Sequence, residues 1–216
     1  MSRFEASDVR SQYQGQVIAV GGPPHSGKSV FLNVLHQRLH ERMGDRVFLE
    51  PVCPDGEGKW AAEAEPDVVR RIRKKYEFSP EFLTQKIQAI ENLGRNKPLV
   101  LLDLGGKRSV ENAQILARST GLIILSSRIV EVELWRAFGK AQSCEVVLEL
   151  ASKLVTTTEG ALDPLARSQV TLGAIPGTGT LVNLSRKYKD NCWAEDCHQD
   201  AIDRLAIWLM EILNHA

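Results

Sequence analysis

Residues 16–32 read QVIAVGGPPHSGKSVFL, and this stretch decides the fold. Its first part, QVIAV, is a short β-branched run that stops at Gly21-Gly22, as a buried strand does on entering a turn. Its last part opens a helical pattern from Lys28 to Met43, with Val30, Phe31, Val34, Leu35 and Leu39 on one face. Between them, Gly22-Pro23-Pro24-His25-Ser26-Gly27-Lys28-Ser29 fits the pattern G-x-x-x-x-G-K-[ST] in its required setting, strand before and helix after. Gly22 and Gly27 let the backbone close into a tight concave loop. The amides from His25 to Ser29, with Val30 behind them, then point at phosphate oxygens at the positive end of the helix. Pro23 and Pro24 have no N–H to offer, so they stiffen the early part of the loop instead. Lys28 is expected to reach the β- and γ-phosphates, and Ser29 to ligate Mg²⁺.

The rest of the chain extends this alternation. Gly44 is placed to end the first helix. Residues 47–53 (VFLEPVC) read as a strand interrupted by Pro51, and 66–75 (PDVVRRIRKK) as a helix opened by Pro and Asp. Ser79-Pro80-Glu81 reads as an N-cap with Pro at N1, starting a helix that runs to Leu93 before Gly94. Residues 99–104 (LVLLDL) and 121–126 (GLIILS) are near-continuous apolar runs, the pattern of strands buried on both faces. Helices are expected over 110–120 and 131–141, a fifth strand over 145–150, and a sixth over 170–174. Ile202, Leu205, Ala206, Leu209 and Leu213 stripe a last helix. The pattern predicts an α/β, three-layer P-loop NTPase fold, with a mostly parallel sheet of about five or six strands and helices on both faces. Residues 1–15 read as a polar segment or linker, and 16–216 as a single domain with a helical insertion around 61–95.

Composition agrees with such a domain. The 216 residues are 43% hydrophobic and 25% charged, enough apolar material for a core. Lys plus Arg and Asp plus Glu are both 27, so binding of a polyanion by bulk charge is disfavoured. No apolar run approaches the ~20 residues of a membrane span. The N-terminus has no apolar signal region, and four Cys are too few for a disulfide scaffold. A reduced, cytoplasmic chain is the expectation.

Other residues extend the site. Asp103 ends LVLLD and is placed to hold Mg²⁺, directly or through water; the alternative is an N-cap or turn Asp before Gly105-Gly106. Asp103-Leu104-Gly105-Gly106 also fits the D-x-x-G loop of GTPases, but the base-reading N-K-x-D is absent. Asp55 and Glu57 follow the second strand; Asp55 is the candidate base, against ordinary turn acids. Arg70, Arg71 and Arg73, with Lys74 and Lys75, would clamp a substrate phosphate or bind an RNA or cyclic nucleotide backbone, against a solvated helix face. Arg128 is a candidate catalytic or inter-subunit arginine, and Trp60 a candidate base-stacking residue. Cys192, Cys197 and His198 are one ligand short of a zinc site, and the two cysteines read as buried or idle thiols.

A motor of the AAA+ type is hard to fit, because Leu104 stands where a water-activating Glu would follow Asp103 and little room is left for a helical lid after the sheet. Taken together, 20–32 (VGGPPHSGKSVFL), 53–60 (CPDGEGKW), the RRIRKK segment with Ser79-Pro80-Glu81-Phe82, and 102–112 (LDLGGKRSVEN) resemble the P-loop (AAA or kinase-like) domain that accompanies type III CRISPR accessory ring nucleases. The resemblance covers most of residues 16–150. It implies that Gly22–Ser29 and Asp103 form a nucleotide and metal site for ATP and Mg²⁺. It further implies a regulatory partnership with a ring-nuclease domain or subunit in a cyclic-oligoadenylate pathway. The nuclease domain itself is absent from this chain. Three functions stay open: a slow ATPase or phosphotransferase, a small nucleotide or nucleoside kinase, and a non-catalytic module whose nucleotide drives homo-oligomer formation.

Overall fold

The computed structural model describes residues 9–54, 78–184 and 196–215. The elements run β1 (Gln16–Gly21), α1 (Lys28–Met43), a short 3₁₀ turn (Gly44–Arg46), β2 (Val47–Pro51), α2 (Pro80–Asn96) and β3 (Leu99–Asp103). Then come α3 (Val110–Leu116), β4 (Gly121–Ser126), α4 (Ile129–Ala141), β5 (Glu145–Lys153), β6 (Gln169–Thr171), β7 (Gly177–Val182) and α5 (Gln199–His215). The strands form one seven-stranded sheet in the order β2-β3-β1-β4-β5-β7-β6, parallel except for β6. Where about five or six strands are expected, the described residues form seven. The extra one, β7 (GTGTLV), was hidden because its glycines and threonines break the apolar pattern. The expected sixth strand is the short antiparallel β6, shifted to begin at Gln169.

Strand alternation builds two cores. From β1, Ile18 and Val20 point to one face, where Phe31, Leu35 and Leu39 of α1 and Ile202, Leu205 and Leu209 of α5 pack. Val17 and Ala19 point to the other, against Ile90 of α2, Ile115 of α3 and Trp135 of α4. This is the three-layer arrangement, with helices on both faces. Right-handed crossovers explain the division: the chain moves one way from β1 to β2 and the other way from β2 onward.

Helix ends follow local chemistry. Gly44 sits at φ 58 and donates its N–H to His40 O, as a stop should. Ser79 caps α2 by accepting the Phe82 N–H at 3.1 Å. Gly94 does not end α2, which continues to Asn96. Its glycine serves packing instead, since a Cβ there would lie 2.8 Å from the Tyr13 ring. Helix α3 stops at Leu116, short of Thr120, and α4 begins two residues before Glu131. Residues 9–15, part of the stretch expected to be a polar segment or linker, lie against the domain. Arg10 donates to Ser143 O at 2.8 Å and Ser119 O at 3.3 Å, and Tyr13 packs on the second core. Burial, with Glu91 nearby, pushes the Tyr13 phenol up to about 12. Among the described residues no helix is long and apolar enough to cross a membrane.

Candidate phosphate-binding site

The sheet places the two sequence-predicted halves of the site side by side. β1 and β3 are parallel neighbours, with Val20 beside Asp103 and the Leu104 N–H donating to Val20 O at 3.3 Å. Both strands end on the same edge, so the loop after β1 and the carboxylate closing β3 meet there. Ser29 Oγ donates to Asp103 Oδ2 at 2.7 Å. This contact joins residues 74 positions apart and is the geometric core of the site.

The loop itself has the expected concave shape. Gly22, His25 and Gly27 all have positive φ, at 148°, 62° and 87°. A Cβ on Gly22 would fall 2.0 Å from Leu125 O, so only glycine lets the loop leave β1 beside β4. The N-cap of α1 is Gly27, no side chain caps it, and no acid stands in the first turn. The amides of that turn, Lys28 to Val30, and the positive end of the helix are thus offered to an external anion. The Lys28 ammonium is buried and donates to the loop's own carbonyls, Gly22 O at 3.0 Å and Pro23 O at 2.9 Å. Ser26 is also buried, and its Oγ has no hydrogen-bond partner among the described residues. An orphaned hydroxyl inside such a loop fits a site completed by a ligand.

Neighbouring loops wall the site. A Cβ on Gly106 would come 2.6 Å from Pro24 N, so the loop after β3 lies directly on the loop after β1. A Cβ on Gly27 would come 2.9 Å from Leu184 Cβ, so the exit of β7 closes the far side. Asn112, which sequence reasoning missed, pins the wall after β3: its Nδ2 donates to Lys107 O at 2.7 Å and Gly105 O at 3.3 Å. Nothing local marks it, because both acceptors precede the helix that carries it.

The remaining candidates divide into seen and unseen. Arg128 lies past β4 on the same sheet edge, largely exposed, and pairs with Glu131 at 3.2 Å. Arg108 pairs with the same carboxylate at 2.6 Å, so Glu131 gathers two guanidinium groups beside the site. Asp55, Glu57, Trp60, Arg70, Arg71, Arg73, Lys74, Lys75 and Cys192 lie outside the described residues. Cys197 is buried against Asn183 and Asp163, and among the described residues no group of His, Cys, Asp and Glu could hold a metal by itself. A hydroxyl beside a carboxylate, as at Ser29 and Asp103, suits a hard cation that keeps waters and phosphate oxygens as its other ligands.

No protein-family model matches the chain, and no curated protein matches it. Solved structures do. The septum site-determining protein MinD from Pyrococcus horikoshii OT3, solved with Mg-ADP, superposes with a TM-score of 0.52 at 12% identity, covering 89% of this chain and 94% of that one. Cobyrinic acid a,c-diamide synthase from Mycobacterium smegmatis, solved with an ATP analog and magnesium, gives 0.49 at 14% identity over 68% of this chain and 78% of that one. The likeness to MinD is one of fold: the chain has the three-layer α/β fold of P-loop NTPases, with its sheet mostly parallel.

Proposed function

We propose that this chain binds ATP with Mg²⁺ and either hydrolyses it slowly or passes its γ-phosphate to an acceptor. The observation that carries the reading is the Ser29–Asp103 contact at the mouth of an uncapped helix N-terminus. In this reading the amides of His25 to Val30, with Gly22, Ser26 and Gly27, hold the phosphates. Lys28 leaves the carbonyls of Gly22 and Pro23 to stabilise negative charge on the transferring group. Ser29 and Asp103 hold the magnesium, which would draw charge off the phosphates. Asp55 as base and Arg70, Arg71 and Arg73 as a phosphate clamp belong to the same proposal and rest on the sequence. That MinD, a protein of this fold, was solved with Mg-ADP supports the choice of ligand.

Slow turnover is favoured over motor-like turnover because Leu104, buried, follows Asp103 where an activating carboxylate would stand. A cytoplasmic role as regulatory partner of a CRISPR ring nuclease acting on cyclic oligoadenylate is proposed on the sequence resemblance alone. The test is γ-labelled ATP with Mg²⁺, parent against Lys28→Ala, with and without nucleosides, nucleotides and 5′-hydroxyl RNA. Label on an acceptor makes the chain a kinase, and free phosphate makes it an NTPase. Equal ATP binding by Lys28→Ala and parent would remove the site assignment.

A further inference from the structure

Helix α4 buries Val132, Trp135 and Gly139 against the sheet. Its opposite side carries the exposed charges of Glu133, Arg136 and Lys140, but an apolar stripe runs beside them. Val130, Leu134, Ala137 and Ala141 recur at helical spacing along that outer face, and all four are exposed. Val130 is 61% exposed and Leu134 is 42%, and Ile129, at 72%, widens the upper end of the stripe. The spacing of four, three and four residues is that of a helix seam seeking another helix.

We propose that this outer face of α4 docks the same face of a second copy of the chain about a two-fold axis. Self-complementarity of charge selects that occupant. Glu133 and Lys140 flank the stripe on one side, and both are exposed. In an antiparallel pair Val130 meets the partner's Ala141, and Leu134 meets the partner's Ala137, large against small. The same register sets Glu133 of each copy against Lys140 of the other, so one axis yields two attractive pairs. Antiparallel helices also oppose their macrodipoles. The formal net charge of zero leaves no long-range repulsion between copies. One helix pair is a small interface, so the dimer is expected at micromolar concentrations.

The test is sedimentation of the full chain across micromolar concentrations. The parent should show a concentration-dependent dimer, and Leu134→Asp should weaken it by about thirtyfold or more. Thermal melts check that this exposed substitution leaves the fold intact. Glu133→Lys and Lys140→Glu should each weaken the dimer, and the double variant should recover it. A parent that stays monomeric throughout overturns the proposal. So does a dimer indifferent to Leu134→Asp, or a double variant no stronger than its singles.

Discussion

Asp103→Asn separates a metal role from a structural one, because only the first makes the loss depend on magnesium. The substitution keeps the side chain's size and removes one negative charge. Asn can still accept the Ser29 hydroxyl, now 2.7 Å from Asp103 Oδ2, through its own carbonyl oxygen. A hydrogen bond to a charged group contributes about 1.5–3 kcal/mol and a neutral one about 0.5–1.5, so the free protein should lose about 1 kcal/mol. For a chain of this size that lowers Tm by about 2–4 °C. Binding of Mg-ADP should weaken by about 10–100-fold, the usual cost of disturbing a metal's supporting ligands. That is about 1.4–2.7 kcal/mol. Without magnesium the loss should vanish. In the proposed site the Asp103 carboxylate then stands near the ADP phosphates as a like charge, and its removal should leave ADP affinity unchanged or tighter. Calorimetric titration of parent and variant with ADP, in magnesium and in chelator, reads both. An equal fall in both conditions would mean that Asp103 acts only by holding Ser29 and the loop. No fall in magnesium would take Asp103 out of the metal site.

Gly94→Ala should gain about 0.8–1 kcal/mol of helix propensity, yet it pushes a methyl 2.8 Å from the Tyr13 ring, an overpacking that costs about 1–3 kcal/mol, so the single variant is destabilised. With Tyr13→Ala in place the same change should stabilise, and urea unfolding that shows one sign in both backgrounds would refute the docking of residues 9–15. Gly22→Ala, at φ 148° with Leu125 O 2.0 Å from the new methyl, should cost about 2 kcal/mol or more and abolish phosphate-loop binding; a variant as stable as the parent would show that the loop leaves β1 by another path.

What the sequence made legible is local and periodic. The loop from Gly22 to Ser29 is contiguous, and the runs of β1, β3 and β4 are apolar because both faces are covered. Asp103 was legible as the acid ending such a run. The pairing of Val20 with Asp103 follows from the sheet order, which no single element encodes. Gly94 misled because a glycine near a helix end reads as a stop, whereas its partner is Tyr13, far upstream. β7 was unreadable because it lies at a sheet position where glycines are needed: a Cβ at Gly179 would lie 2.6 Å from Gln169 O on the neighbouring strand. Asn112 was invisible because a buried amide pinning a loop leaves no periodic trace.

The topology explains why the site lies where it does. The crossover from β1 sends α1 to one face of the sheet, while α3 and α4, following β3 and β4, go to the other. The loop after β1 therefore diverges from the loops on both sides of it, and a crevice opens at the carboxyl end of β1. Three neighbours then press closely on that loop: Leu125 at Gly22, Leu184 at Gly27, and Gly106, from the loop after β3, at Pro24. A loop confined on three sides keeps its positive-φ residues in place before any anion arrives. The conformational cost of shaping the cradle is met by packing of the fold, so binding need not supply it. Loosening a wall, as by Asn112→Ala, should therefore weaken phosphate binding although the residue sits outside the loop.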